Sequence, residues 1–323
     1  MQPNRDAGCR TWNRRVWLRA SAAGLGALAA GTGTQSVLAQ ARIPREASAG
    51  QGAPSRFQVA CMTLPYSRFP LKRALTGLQA AGYRYVALGT THEEATSQRV
   101  PVLANDASPE RAKELGKACR DLGLEPVMMF GPSPETLGDL KHRVRQAAAA
   151  GVSQVLTMGN TRGNDPALWI KNFKQLGPFA REQGVTVVVK QHGGNTGTGL
   201  ALAAITRQVA DEGIKISYDA GNVMDYLDVN PLPDLEKCAG EIRSLCIKDH
   251  RNFPKDQDCG PGFGEIDHYR LLTPLAFTGR NIPLCCENIF APLLPPPSTP
   301  EQVDVLARRA REFLETVIQG LQV

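Results

Sequence analysis

Eight short apolar runs recur along the chain, and each is followed by a segment with helical spacing. Runs of this length, rich in β-branched residues, are typical of buried strands. Strands that alternate with helices pair in parallel and are joined by right-handed crossovers. The pattern therefore predicts a single α/β domain, a closed (β/α)8 TIM barrel; an open doubly wound sheet is the weaker alternative, because no GxGxxG motif follows the first run. The runs are FQVACMT (57–63), YRYVALG (83–89), EPVMMFG (125–131), SQVLTMG (153–159), VTVVVKQ (185–191), IKISYDA (214–220), IRSLCIKD (242–249) and IPLCCEN (282–288).

The segments between the runs carry the signals of helix ends. Ser108 and Asp165 each precede a proline, which places an N-cap residue before a proline at the first helical position. Gly184 closes the segment that begins at Asp165 and is a candidate C-cap. Residues 70–83 carry leucines on one helical stripe. These signals predict helices between consecutive strands.

Residues 1–39 have the features of an export signal. Arg14 and Arg15 precede an apolar stretch rich in Ala, Gly and Leu, and SVLAQA offers small residues for cleavage after Ala39. The segment resembles a bacterial twin-arginine signal, which implies a periplasmic or otherwise exported protein. A short membrane anchor is the alternative, but the apolar stretch is too short and too glycine-rich to span a bilayer comfortably.

The mature chain is expected to be one nearly neutral domain. Residues 40–56 are rich in Gly, Ala, Pro and Ser and predict a flexible linker, which leaves 57–323 for the barrel. The five arginines and one aspartate of residues 1–39 account for +4 of the formal net charge of +6, leaving +2. No basic cluster with interleaved aromatics is present, so a nucleic-acid partner is not expected. No segment beyond the signal is expected to cross a membrane.

The cysteine count predicts at least one free thiol, unless two chains pair through a disulfide. Seven of the eight lie beyond Cys9 in the signal, no CxxC spacing suggests zinc, and an odd number leaves at least one free thiol. Cys285 and Cys286 are neighbours on a predicted strand and point to opposite faces, which makes a disulfide between them geometrically poor. We expect most of them to be small buried hydrophobic residues.

Polar side chains are concentrated where the predicted strands end. Active sites of such barrels lie at the carboxyl ends of the strands. Three of the five histidines fall there, whereas His142 and His268 lie on predicted helices and are expected to be solvated. The residues at the strand ends are His92 (strand 2), Lys190 and His192 (strand 5), Asp219 and Asn222 (strand 6), Lys248 and His250 (strand 7) and Glu287 (strand 8).

Four motifs in the second half of the chain carry a family resemblance: SYDAGNV, IKDH, GPGFGEIDHYRLL (260–272) and LCCENIF. In this order and spacing they resemble the sugar phosphate isomerase/epimerase superfamily, the xylose isomerase-like TIM barrels, over about residues 57–323. The resemblance implies one divalent metal held by Glu, Asp, His and Glu from strands 5 to 8, and proton transfer next to a sugar carbonyl.

The sequence departs from this ligand set at two positions. Asp219 and Glu287 match the family's aspartate and terminal glutamate, but Lys190 and Cys246 stand where the family has glutamate and histidine. A protonated lysine cannot ligate a metal, which puts the inherited site in doubt.

The alternation of side chains along strands suggests a displaced metal site instead. His192 shares a face with Lys190, as His250 does with Cys246. A site of His192, Asp219, His250 and Glu287 would offer two imidazoles and two carboxylates, a set suited to Mn, Zn, Fe or Co.

Roles follow for the remaining strand-end residues. Glu287 is the expected base, and Lys190 the expected proton donor or oxyanion stabiliser. The residues expected to bind substrate are His92, Lys248 and Asn222. Three of the candidate site residues have a structural alternative: Asp219 capping a helix, Lys190 paired with Glu287 or Asp219, and His92 forming only local hydrogen bonds.

Three functions remain open from the sequence. The first is a sugar isomerase or epimerase that moves a proton alpha to a carbonyl through an enediolate, with metal assistance. The second is a lyase or dehydratase acting on a keto-sugar, and the third is a non-catalytic carbohydrate-binding barrel. All three imply a small carbohydrate partner, and a homo-oligomer is possible.

Overall fold

Eight parallel strands form a closed barrel in the structure, a computed structural model that describes residues 52–94 and 98–322. Each strand pairs with the next in the chain, and the eighth closes on the first. The strands are β1 (Arg56–Met62), β2 (Tyr85–Leu88), β3 (Glu125–Phe130), β4 (Gln154–Met158), β5 (Thr186–Lys190), β6 (Ile214–Asp219), β7 (Ile242–Ile247) and β8 (Asn281–Cys286). The predicted (β/α)8 barrel is confirmed, with one strand in each apolar run. The export signal and the linker up to residue 51 lie outside the described residues.

Helices follow the strands and cover the outside of the barrel. Ser108 and Asp165 are N-caps as predicted, because their side chains accept hydrogen bonds from the backbone N–H groups of Arg111 and Leu168. Among the described residues, none of the helices has the length and apolar character needed to cross a bilayer. The helices are α1 (Leu71–Ala80), α2 (Pro109–Asp121), α3 (Leu137–Ala150), α4 (Pro166–Glu182), α5 (Gly199–Val209), α6 (Ala220–Leu227), α7 (Pro231–Cys238), α8 (His268–Leu272) and α9 (Pro300–Leu321).

The core has two layers because successive strand residues face opposite sides of the barrel wall. One layer fills the barrel interior and includes Met62, Met128, Val188 and Cys285. The other packs the outer wall against the helices and includes Cys286. The two adjacent cysteines therefore point to opposite faces. All seven described cysteines are unpaired, and all are buried, which confirms the expectation that most of them are small buried residues.

Two short hairpins rise at the carboxyl ends of the strands. Residues 91–93 pair with 99–101 after β2, and residues 249–251 pair with 257–259 after β7. The run 242–249 is therefore not one strand. Its barrel portion ends at Ile247, and the chain then turns into the second hairpin.

Candidate functional site

Lys190, Asp219 and Glu287 meet at the carboxyl ends of their strands. Nζ of Lys190 donates to Oε1 and Oε2 of Glu287 at 2.8 and 2.6 Å, and it lies 3.1 Å from Oδ2 of Asp219. The side chains of Lys190 and Asp219 are 1% and 0% exposed, whereas that of Glu287 is 19% exposed. Glu287 is thus the member of the group that an entering ligand can reach.

The charges of this group are coupled. Burial lowers the pKa of Lys190, but the carboxylates of Glu287 and Asp219 raise it by more than burial lowers it. The pKa of Lys190 therefore lies above its usual value. Burial raises the pKa of Glu287, but Lys190 and Lys248 overcome this and lower it to about 2. Burial dominates at Asp219, whose pKa is raised. At neutral pH, Lys190 is an ammonium and Glu287 a carboxylate.

Lys248 adds a second buried ammonium. Its Nζ lies 2.9 Å from Oδ2 of Asp258 and 3.9 Å from Oδ2 of Asp219. Gly221 lies against its stem, since a Cβ built there would come within 2.6 Å of Cγ of Lys248. The close approach of α6 therefore holds Lys248 against the group.

Asp219 and Asn222 fix the junction between β6 and α6. Oδ1 of Asp219 accepts a hydrogen bond from the Asn222 backbone N–H at 2.9 Å, so Asp219 caps α6 as its structural alternative proposed. The other carboxylate oxygen, Oδ2, faces Lys190. The Asn222 side-chain amide donates to the Gln191 carbonyl at 2.7 Å. Asn222, predicted to bind substrate, is 1% exposed and braces the strand end that carries Lys190.

His192 lies at the mouth but is not grouped with the carboxylates as a ligand. Its Nδ1 lies 3.2 Å from the Gly159 carbonyl oxygen, and its ring packs edge-on against Tyr226. Burial and the charge of Lys190 lower its pKa, so the imidazole is neutral at pH 7. Its Nε2 forms no hydrogen bond to the described part of the chain.

His250 lies in the hairpin of residues 249–251 and 257–259 at the rim of the barrel, here called the rim hairpin. This position corrects the expected metal site of His192, Asp219, His250 and Glu287, because His250 is not on a barrel strand. Because β7 ends at Ile247, the alternation used to place His250 on the inward face does not extend to it. Its Nδ1 lies 3.0 Å from Oδ1 of Asp258, and its Nε2 lies 3.3 Å from Oδ1 of Asp256.

His92 and His268 also differ from expectation. His92 is 1% exposed, with Nδ1 2.8 Å from the Phe69 carbonyl oxygen and Nε2 2.9 Å from Oγ1 of Thr63. Both ring nitrogens therefore have protein partners, in agreement with the local alternative rather than with substrate binding. His268, expected to be solvated, is buried edge-on against Phe313 because α8 packs against α9.

Asp249 was quoted within IKDH but given no role by sequence reasoning. Its carboxylate accepts backbone N–H groups of His250, Gly262 and Ile266 at 2.9, 2.9 and 3.0 Å. It thereby folds the glycine-rich loop 260–266 over the rim hairpin. The available signal was the glycine-rich loop 260–266 that follows, whose backbone N–H groups need acceptors from elsewhere in the chain.

A cavity of about 360 Å³ opens at the same end of the barrel. It is bounded by residues 88–90, 101–105 and 129–132, at the carboxyl ends of β2 and β3. Its walls do not include Lys190 or Glu287, so it is separate from the charged group.

Two groups of side chains could hold a metal among the described residues. One is Asp219, Cys246 and Glu287, and the other is Asp225, His250 and Asp256 at the rim. The first does not suit a divalent cation, because the Lys190 ammonium already contacts both of its carboxylates. Burial also raises the pKa of Cys246, which keeps its sulfur a neutral thiol.

Solved structures with the same fold include sugar epimerases. An L-ribulose 3-epimerase superposes with a TM-score of 0.62 at 14% identity, covering 82% of this chain and 95% of that one. A xylose isomerase domain protein from Alicyclobacillus acidocaldarius subsp. acidocaldarius gives 0.64 at 18%, covering 83% and 100%. A xylose isomerase-like TIM barrel/4-hydroxyphenylpyruvate dioxygenase fusion protein gives a TM-score of 0.60 at 19% identity. The match covers 83% of this chain but only 45% of the fusion protein.

Sequence comparison gives the family directly. No curated protein sequence matches the chain. The family model of the xylose isomerase-like TIM barrel, however, matches residues 75–309, well over half of the 323 residues. The chain therefore belongs to the xylose isomerase-like TIM barrel family.

Proposed function

We propose that this protein is a carbohydrate isomerase or epimerase that moves a proton on the carbon next to a sugar carbonyl. The observation that carries the proposal is the contact between Lys190 and Glu287 at the carboxyl ends of β5 and β8. It places a carboxylate that can take a proton beside a cation that can stabilise an oxyanion. The epimerases among the proteins of the same fold support this reaction class.

Glu287 is the proton acceptor in this proposal because its side chain is the most exposed of the three charged residues. It takes the proton from the carbon, while the Lys190 ammonium hydrogen-bonds the carbonyl oxygen that becomes the enediolate oxygen. Asp219, fully buried behind Lys190, keeps that ammonium charged. Delivery of the proton by Glu287 to the neighbouring carbon, while the hydroxyl proton of the enediolate passes to the former carbonyl oxygen, gives an isomer. An epimer needs a second proton donor on the opposite face of the same carbon.

The ion pair also regulates the strength of the base. In the free site Lys190 holds the Glu287 pKa at about 2, which makes the carboxylate a weak base. A carbonyl oxygen that takes over a Lys190 hydrogen bond weakens this hold and raises the pKa of Glu287. The base therefore becomes stronger when substrate is in place.

Lys248 favours a second candidate, a lyase acting on a keto-sugar. After the same enolisation, a leaving group needs a proton, and Lys248 supplies a second ammonium 3.9 Å from Oδ2 of Asp219. Isomerisation and elimination share the first step and differ in their products.

The experiment is a screen of unphosphorylated ketoses, aldoses and keto-sugars in deuterated water. The proposal expects deuterium on the carbon beside the carbonyl, with an epimer or isomer as the product seen by NMR. A dehydrated or cleaved product would favour the lyase. Sugar binding without any deuterium incorporation would contradict both and favour a binding barrel. Export and self-association stay predictions, which cell fractionation and sedimentation would check.

A further inference from the structure

The Lys190 ammonium lies among the side chains where a metal would be expected. A ligand atom from each of Asp219, Cys246 and Glu287 lies within 4.8 Å of the other two. Nζ of Lys190 lies 3.1 Å from the Asp219 oxygen and 2.6 Å from a Glu287 oxygen. The ammonium therefore contacts both anionic members of the group.

The carboxylates of the site already have cations beside them. Asp219 and Glu287 contact the Lys190 ammonium, and Asp258 contacts the Lys248 ammonium at 2.9 Å. A divalent ion between Asp219 and Glu287 would place two more positive charges directly beside the buried Lys190 ammonium. The thiol of Cys246, which contacts Ser217 Oγ at 3.6 Å, brings no negative charge.

The strand-end positions of Lys190 and Asp219 keep the ammonium in contact with both carboxylates. Lys190 is the last residue of β5 and reaches across the mouth to Glu287, which follows β8. Asp219 is fixed at the end of β6 by its cap to Asn222, so it cannot turn away from the ammonium without losing that cap.

We propose that the Lys190 ammonium takes the place of the divalent cation in this barrel, so that the proton transfer described above proceeds without a metal. This inference rests on the proposed function for its catalytic part. No atom is gained or lost in the isomerisation: Glu287 takes the carbon proton, and Lys190 stabilises the negative oxygen through a hydrogen bond. The neighbouring hydroxyl proton then passes to that oxygen, and Glu287 delivers its proton to the carbon that carried the carbonyl.

The decisive variant is Lys190→Glu, which replaces the internal cation with a third carboxylate. The protein with Lys190 and the Lys190→Glu variant are stripped with EDTA, dialysed and titrated with MnCl2 by calorimetry, and their melting temperatures are followed. Both carry His250→Ala, which removes the separate rim group of Asp225, His250 and Asp256. We expect no Mn²⁺ binding with lysine at position 190, and one Mn²⁺ per chain with a rising melting temperature in Lys190→Glu.

Two further variants keep the test decisive. Lys117→Glu makes the same charge change on an exposed surface pair with Asp121 and should acquire no Mn²⁺. If Lys190→Glu does not fold, Lys190→Gln removes the cation while leaving both carboxylates, and it should bind Mn²⁺ at least tenfold more tightly than the protein with Lys190. Equal Mn²⁺ affinity with and without Lys190 would overturn the inference.

The metal titration tests the inference about Lys190, and the sugar screen tests the proposed function, so one can be contradicted without the other. The titration needs no sugar, so a screen without any deuterium incorporation contradicts the proposed function and leaves the result at Lys190 to be judged by Mn²⁺ binding alone. Deuterium incorporation that disappears in EDTA and returns with Mn²⁺ supports the proposed function but overturns the inference. Incorporation that is unchanged by EDTA, within twofold, supports both.

Discussion

Nζ of Lys190 lies 2.6 Å from Oε2 of Glu287, although the two residues are 97 positions apart in the chain. The contact spans the barrel mouth from the end of β5 to the end of β8. It joins a fully buried cation to the carboxylate that is most accessible in the group.

Lys190→Met should destabilise the protein strongly. The substitution keeps the apolar stem but leaves Asp219 and Glu287 without their nearest cation, and removal of one partner from a buried pair typically costs about 3–5 kcal/mol. The check is the free energy of unfolding from urea titration at pH 7. Lys117→Met, which breaks an exposed pair with Asp121, is the matched control and should cost less than about 1 kcal/mol. Equal losses in the two variants would contradict the buried pair.

Stability should fall in acid partly because of Glu287. Its pKa in the folded protein is about 2, below the ordinary value of 4.5, so its contribution is present above about pH 5 and is lost as the pH falls toward 2. A shift of this size corresponds to roughly 3 kcal/mol at neutral pH. The difference in unfolding free energy between wild type and Glu287→Gln should therefore shrink as the pH is lowered from 7 to 3. A difference that does not change with pH would show that Lys190 does not hold the carboxylate ionised.

Gly221→Ala should impair the site while the fold is retained. The added Cβ would lie 2.6 Å from Cγ and 2.8 Å from Cε of Lys248, so this lysine must move away from Asp219. A displacement of about 1 Å in a site can cost about 10²-fold in rate. Gly240→Ala, where an added Cβ meets nothing within 4 Å, is the control. Deuterium incorporation into a sugar found by the screen is the readout, and equal rates in both variants would argue against a role for Lys248.

Asp249→Ala should loosen the glycine-rich loop. The carboxylate accepts three backbone N–H groups, among them those of Gly262 and Ile266, and their loss leaves buried donors unpaired at about 1–3 kcal/mol each. Asp267→Ala removes a cap that accepts one N–H, from Arg270, and should cost about 1 kcal/mol. Urea titration compares the two variants, and hydrogen exchange of the loop 260–266 locates the effect. Similar losses of unfolding free energy in the two variants would contradict the conclusion that Asp249 stabilises the loop through several hydrogen bonds.

The barrel could be predicted from the sequence because its strands are buried on both faces. Each strand is then a continuous apolar run bounded by helix caps, a local pattern that needs no tertiary information. The inward position of Lys190 next to Glu287 followed from the same reasoning, because both stand at strand ends.

The placement of His250 and His92 could not be predicted in this way. Strand alternation was extended past Ile247, but the chain leaves the barrel there because the hairpin 249–251 pairs with 257–259. His92 likewise lies in a hairpin after β2, where Thr63 and Phe69 from distant positions take its ring nitrogens. Both outcomes depend on contacts between loops, which leave no periodic signal in the sequence.

The most direct test of the proposed chemistry compares wild type with Glu287→Gln on a sugar identified by the screen, both stripped of metal. The measurement is the rate of deuterium incorporation beside the carbonyl at pH 7, with sugar affinity measured in parallel. We predict a loss of about 10²-fold or more in Glu287→Gln, because an amide cannot accept the carbon proton, together with retained sugar binding. Incorporation at the wild-type rate in Glu287→Gln would contradict the assignment of Glu287 as the base and of the Lys190–Glu287 pair as the catalytic centre.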